Sequence, residues 1–397
     1  MTVRAGGPTA NGLDPLLDAN RATQEGTTYT ETGDYISPTA TGFIVDPGRN
    51  GWSIVNSGSG GSGNVYIYIA IRRGPMKVPT DATKVFIPVA TTAPATPTTI
   101  TTNFPVDLMI NSFRSTGTNT RFVADRLRGS PSNYYRFLQT DSTAAETYGN
   151  GFGWGMDSNV SLIDNGATSG SGSPLIYYNF RRAPEFFDEV CYTGNGSGTT
   201  LISHNLKTQP LLVIIKAREG GGVGWNWPAI TNSAVSSQAT LFLNSSTGNG
   251  GGSSAGMFTG TTVDVGTSTG LGSLYGVQQV NTSGVNFVMY LFASATGVSK
   301  VGSYTGTGAL QTINCNFTAG VRFVMIKRSN FSGDWYVWDS ARGITAGSDP
   351  YLALNTTNAE VTGTDYINTT SVGFQVTASA PADINGAGEK FIFLAIA

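Results

Sequence analysis

The sequence predicts an all-β chain: tandem β-sandwich, jelly-roll-like modules with Gly-rich loops, the first of them incomplete. Three observations predict it: the composition, the length of the apolar runs, and a repeat of about 100–110 residues. Apolar residues make up 39% of the 397 and aromatics 11%, enough for packed cores. Charged residues make up only 12%, while glycine reaches 52. Glycine, threonine, serine and asparagine favour turns and strands over helix interiors. The apolar runs are short and bounded by Gly, Asn, Asp, Ser or Pro, as strands are. Ile67–Ile71 and Leu211–Ile215 are apolar at every position and read as strands covered on both faces.

The repeat is carried by four elements. The first is an apolar strand with a tail, Ile67-Tyr68-Ile69-Ala70-Ile71-Arg72-Arg73-Gly74-Pro75, which recurs as Ile176-Tyr177-Tyr178-Asn179-Phe180-Arg181-Arg182-Ala183-Pro184. Looser copies begin at Met289 and Ile392, giving spacings of 109, 113 and 103 residues. The second is Asp349-Pro350-Tyr351-Leu352-Ala353-Leu354-Asn355, matched by Asp14-Pro15-Leu16-Leu17-Asp18-Ala19-Asn20. A Gly-Phe pair follows at Gly42-Phe43, Gly151-Phe152 and Gly373-Phe374. The third pairs a turn, Tyr192-Thr193-Gly194 or Tyr304-Thr305-Gly306, with a strand ending in basic residues. That strand is Leu211–Arg218 in one copy, Phe323–Arg328 in another and, more weakly, Leu108–Arg114. The fourth is Asp125-Arg126-Leu127-Arg128-Gly129, matched by Asp339-Ser340-Ala341-Arg342-Gly343.

These elements divide the chain into 1–87, a partial first module, then 88–187, 188–298 and 299–397. The Pro/Thr-rich run Pro88–Thr102 reads as a linker. The first module lacks a counterpart of the Tyr-Thr-Gly opening before Asp14, so a neighbouring subunit completing it, or a chain beginning inside a longer protein, is an expectation. Helical pieces are expected only around Leu13–Ala22 and Ser142–Glu146.

A net charge of −2 gives no electrostatic footprint for nucleic acid. The longest apolar runs are too short to insert in a bilayer as a helix, and no secretory signal is visible. Cys191 and Cys315 fall at positions that do not correspond, which argues for free thiols. With a single histidine, His204, a His-based triad or a zinc site is not expected. Neither a metal nor a cofactor is assigned, calcium in an Asp/Asn-rich loop being the alternative.

Two aromatic groups invite a binding reading. Tyr336 and Trp338 share one face of a strand beside Asp334, and Trp225 with Trp227 holds a comparable place one module earlier. Such rings could stack on a sugar while the carboxylate takes its hydroxyls; a core strand is the competing reading. The pairs Asp334 with Asp339 and Asp141 with Glu146 are nominal glycosidase carboxylates, with nothing in the spacing to single them out. No catalytic residue is assigned, and the chain reads as a scaffold rather than an enzyme. Asp125 with Arg128 and Asp339 with Arg342 suit ion pairs closing a turn, and Arg72-Arg73 and Arg181-Arg182 read as strand ends.

Taken together, Tyr304–Gly308, Phe323–Arg328, Trp335–Gly343, Leu352–Glu360 and Phe391–Ala397 resemble a repeated module of tail and virion structural proteins of marine tailed bacteriophages. Ile69–Pro75 is similar to the same family, and Val301–Ala397 carries the best match. The resemblance implies a virion structural protein of the tail or its fibres. It implies other virion proteins as partners, a homo-oligomer with a trimer favoured, and contact with a host-surface glycan. A carbohydrate-binding adhesin and a capsid-decorating protein are the alternatives.

Overall fold

The computed structural model describes residues 77–96, 98–115, 121–128, 136–148, 154–155, 161–164, 172–219, 225–236, 240–248 and 252–397, together with strands at 2–5, 36–38, 43–45 and 65–68. It is an all-β sandwich fold of antiparallel sheets. The helical segments among the described residues are Leu271–Tyr275, Val277–Val280, Ala382–Asn385 and the 3-10 turn Ala82–Lys84. Asp14–Glu25, the Ser57–Gly63 and Gly220–Gly224 loops, Gly151-Phe152 and Arg72-Arg73 lie outside the described residues.

The last three modules share one sheet order. In the third it is Phe187–Thr193, Asn286–Phe292, Leu212–Ala217, Pro228–Thr231, Thr240–Phe242. In the fourth it is Ser299–Thr305, Lys390–Ile396, Phe323–Arg328, Trp335–Asp339, Leu352–Ala353. In the second it is Phe86–Thr92, Pro174–Phe180, Leu108–Phe113, Arg121–Asp125, Arg136–Gln139, with Thr147–Tyr148 added. The register agrees as well. The closing strand meets the central strand at Phe180–Leu108, Phe292–Leu212 and Ile396–Phe323. The opening strand meets the same closing residues at Phe86, Phe187 and Ser299. A smaller sheet lies beside each large one; in the fourth module it is Gln311–Asn314, Gly373–Val376 and Ile367–Thr370.

Three expectations change. Pro88–Thr102 is not a linker: Phe86–Thr92 opens the second module and Thr98–Thr101 enters its small sheet. Threonine suits strands, and Pro88 is tolerated because its strand is an edge. Ser142–Glu146 is irregular rather than helical, because the third module takes its backbone groups. The Ser142 carbonyl accepts from Trp227 Nε1 at 3.0 Å, and the Glu146 amide donates to the Arg218 carbonyl at 2.7 Å. The first module does have an opening strand, since Thr2–Ala5 pairs with Val65–Tyr68. Its hairpin Ile36–Pro38 with Phe43–Val45 sets Ile36 against Val45, as Ile367 is set against Val376.

The Tyr-Thr-Gly signature is a packing device. Tyr192 stacks on Phe287 and Tyr304 on Phe391, at 5.2 and 4.8 Å between ring centroids. Their hydroxyls donate to the Val280 and Ile384 carbonyls, both at 2.6 Å. The glycine two residues on must be a glycine: a Cβ at Gly194 would lie 2.3 Å from the Thr282 carbonyl oxygen, and one at Gly306 2.2 Å from that of Gly386.

Period-2 alternation gives each central strand two buried faces. Val213, Ile215 and Ala217 line the third module's own core, while Leu212 and Ile214 join a core shared by all three modules. Phe86, Phe180, Phe187, Phe292 and Phe323 meet at its centre in tilted and edge contacts, the closest pair at 4.8 Å. The second module therefore contacts the third, the third the fourth, and the fourth the second. This is a closed cyclic arrangement of like modules within one chain.

Candidate functional site

Buried polar and charged side chains meet at the seams of this ring. Corresponding residues at the head of the fourth strand are Arg121, Trp227 and Trp335, all fully buried. Each backbone amide is held by the residue that follows the fifth strand: Asp141, Asn244 or Asn355. Each side chain donates across a seam. Trp227 Nε1 reaches the second module at Ser142, Trp335 Nε1 reaches the third at the Phe242 carbonyl (2.8 Å), and Arg121 reaches the fourth at the Ala353 and Asn358 carbonyls.

The basic end of the central strand works the same way. Lys216 Nζ donates to Thr143 and Trp225 carbonyls at 2.9 and 2.6 Å. Lys327 Nζ donates to those of Ser246 and Gly333 at 2.9 and 2.7 Å. In each case one carbonyl belongs to the preceding module. Burial holds both amines down to about 8, and each caps two carbonyl oxygens.

The two seams of the second module share an ionic network. Asp125 accepts the Arg128 amide at 2.8 Å and its guanidinium, and also Tyr290 Oη of the third module at 2.6 Å. Arg128 continues to Glu146, which binds Arg136 and, across the seam, Arg218. The same parts recur between the fourth and second modules. Asp339 holds Arg342 and Tyr178 Oη, and Glu360 joins Arg342 to Arg114. Burial pushes the Glu146 carboxyl up, yet Arg128 and Arg218 outweigh it and leave it below the usual range. At the third–fourth seam the corresponding residues are Thr231, Leu394 and Ser329, and among the described residues no ion pair crosses it.

Glu189 is different again. It stands on the third module's opening strand opposite Tyr290, 2% exposed, with neither carboxyl oxygen hydrogen-bonded among the described residues. Arg182 Nε is 3.8 Å away. Burial raises its pKa well above the usual range, and Asp125, Asp107 and Asp188 add to the rise against the pull of Arg182.

The residues named for sugar binding divide. Trp338 and Trp227 are fully buried and present no ring face to solvent; Trp225 is half-buried against Phe287, 6.3 Å between centroids. Trp227 corresponds to Trp335 rather than to Trp338. Tyr336 is buried at the rim of the fourth module, its hydroxyl on Asp383, with Tyr351 5.4 Å away. Half-buried Tyr351 packs in turn on half-buried Tyr366 at 5.9 Å, and Asp334 is held nearby by Asn355. Tyr351, Tyr366 and Asp383 had no strand-face signal to mark them, because loops bring them together.

The nominal glycosidase acids are engaged structurally: Asp339 and Glu146 in the seams, Asp141 on the Arg121 amide, Asp334 on Asn355. Arg182 is tied to Asp107, its amide at 2.7 Å, rather than freely solvated. His204 is buried beside the Thr259 carbonyl, and both cysteines are free thiols, each raised to about 12 by burial. Among the described residues no three His, Cys, Asp or Glu side chains converge as a metal set, and no helix is long and apolar enough to cross a membrane.

Fold and seams together define a tandem β-sandwich protein whose modules close on one another. The model of a domain of unknown function, DUF7483, matches residues 183–397, and the chain belongs to that family. The match takes in the third and fourth modules and begins at the connection from the second. No curated protein matches the chain.

Proposed function

We propose that this chain is a bacteriophage virion structural protein, tail- or fibre-associated, that serves as a scaffold. The observation that carries the reading is the closed ring. Its ionic clusters, Asp125–Arg128–Glu146 in the second module and Asp339–Arg342–Glu360 in the fourth, each reach across a seam, the first to Tyr290 and Arg218 and the second to Tyr178 and Arg114. Committing charge to module junctions suits a part that must hold shape under load. The resemblance of its last module to phage tail components supports the same reading. Mass spectrometry of purified particles, separated into tails and heads, tests it. Recovery from tails is the expected result, recovery from heads alone favours a capsid-decorating role, and absence from both sinks the virion assignment.

A carbohydrate-binding role is the second reading, favoured by the Tyr336–Tyr351–Tyr366 cluster with Asp334 and Asp383 at the fourth module's rim. On a glycan array, selective binding should be lost in Tyr351→Ala while the protein stays folded. An array without selective binding removes this reading and leaves the scaffold reading untouched.

A further inference from the structure

We propose that residues 77–182 form an exchangeable module: the two faces of the 183–397 unit that receive it in the closed ring also receive it from a second copy of the chain. The argument starts at the two connections between modules. After the second module, the amides of Phe186 and Phe187 both donate to the Ala183 carbonyl. After the third, the amides of Val298 and Ser299 donate to the Ala295 carbonyl in the same way. The turns are equivalent, and Glu185 corresponds to Gly297.

Both residues are left-handed, Glu185 at φ 62° and Gly297 at φ 74°. Glycine adopts that conformation without strain, whereas a side chain disfavours it. Glu185 is fixed there by its amide, which donates to the Leu206 carbonyl at 2.7 Å. The connection to the second module is therefore strained, and the connection between the third and fourth is not. Straightening the 183–187 turn releases Glu185 and carries the second module away from its own third module. A short strained hinge favours exchange over closure.

The receiving faces are specific. One offers Arg218 and Tyr290, made for Glu146 and Asp125; the other offers Asp339 and Glu360, made for Tyr178 and Arg114. A second copy's module satisfies every one of these contacts, so among the described residues the hinge is what differs between closed and exchanged forms. The family match supplies an independent boundary, since the matched unit starts at Ala183, the first residue of the turn.

The test uses full-length protein in two batches with different affinity tags. The batches are mixed at high concentration, passed through sub-denaturing guanidinium, returned to buffer and captured on both tags in sequence. Wild type should yield a doubly tagged dimer by light scattering. Glu185→Gly should lower the dimer share about fivefold or more, the factor expected for relief of one left-handed side chain. Gly297→Ala, whose Cβ would meet no atom within 4 Å, places the same strain in the other hinge and should restore a dimer in the Glu185→Gly background. Monomer alone under all conditions, or an equal dimer share in wild type and Glu185→Gly, overturns the proposal.

Discussion

The seams of the second module and the seam between the third and fourth solve one packing problem with different chemistry. All three bury the head of a fourth strand against the neighbouring module and cap that neighbour's carbonyls. Among the described residues, only the second module's seams add Asp–Arg–Tyr clusters and a Glu shared between arginines of two modules. Where the third meets the fourth, Thr231, Leu394 and Ser329 occupy the matching positions. The substitutions are concerted: the carboxylate, the phenol and the arginine are absent together. A half-kept network would leave a buried group without a partner, at a larger cost than an apolar seam. A buried ion pair adds little net stability over an apolar contact, and both charged seams belong to a module outside the family match.

The largest effect that separates the seams is expected from Arg342→Met. It strips Asp339 and Glu360 of their shared cation and should cost about 3–5 kcal/mol, as breaking a buried pair does. Hydrogen exchange should rise first along Leu108–Phe113 and Pro174–Phe180, with Phe323–Arg328 protected longer. Simultaneous loss at every strand would contradict a distinct second-module seam. Next come Tyr290→Phe and Tyr178→Phe, each removing a hydrogen bond to a carboxylate and expected to cost about 1.5–3 kcal/mol in denaturant melts. Costs below about 0.5 kcal/mol would show that these clusters are not what holds the second module.

Glu189→Gln sharpens the comparison through pH. Burial, with Asp125, Asp107 and Asp188, favours the neutral form of the native carboxyl against the pull of Arg182. The unfolded chain loses that proton near the ordinary glutamate value, so wild-type stability should fall as pH rises from about 4.5 toward the raised native value. The glutamine variant should lack this slope and be more stable at neutral pH. Parallel stability–pH curves for the two proteins would sink the assignment. The smallest effect is expected from Ser329→Ala at the neutral seam, which removes only the hydrogen bond from Ser329 Oγ to the Lys390 carbonyl of its own module and should cost no more than about 1.5 kcal/mol. A larger loss would reveal a polar contact there of the kind Arg218 makes.

Much of the fold was legible because packing imposes local patterns. The all-apolar run Leu211–Ile215 announced a strand covered on both faces, and it has one face in its own sandwich and one in the shared core. Asp125/Arg128 and Asp339/Arg342 were legible as turn-closing pairs, because their contact is local in sequence. Nothing in the strand pattern marks Trp335 as the seam residue rather than Trp338, since alternation shows which residues share a face and not which face meets another module. Glu146, Arg218 and Arg114 carried no signal, because their partners lie in other modules.

By itself the sequence determined the repeated strand-and-turn unit, because alternation, glycine placement and the Tyr-Thr-Gly turn act over a few residues. The tertiary structure alone decided that the last three units close into a ring, which carboxylates would be shared, and that one hinge would be strained while its counterpart is relaxed. Those outcomes depend on groups about 70 to 250 residues apart, such as Arg218 with Glu146 and Arg114 with Glu360. No local pattern encodes a distance that only packing sets.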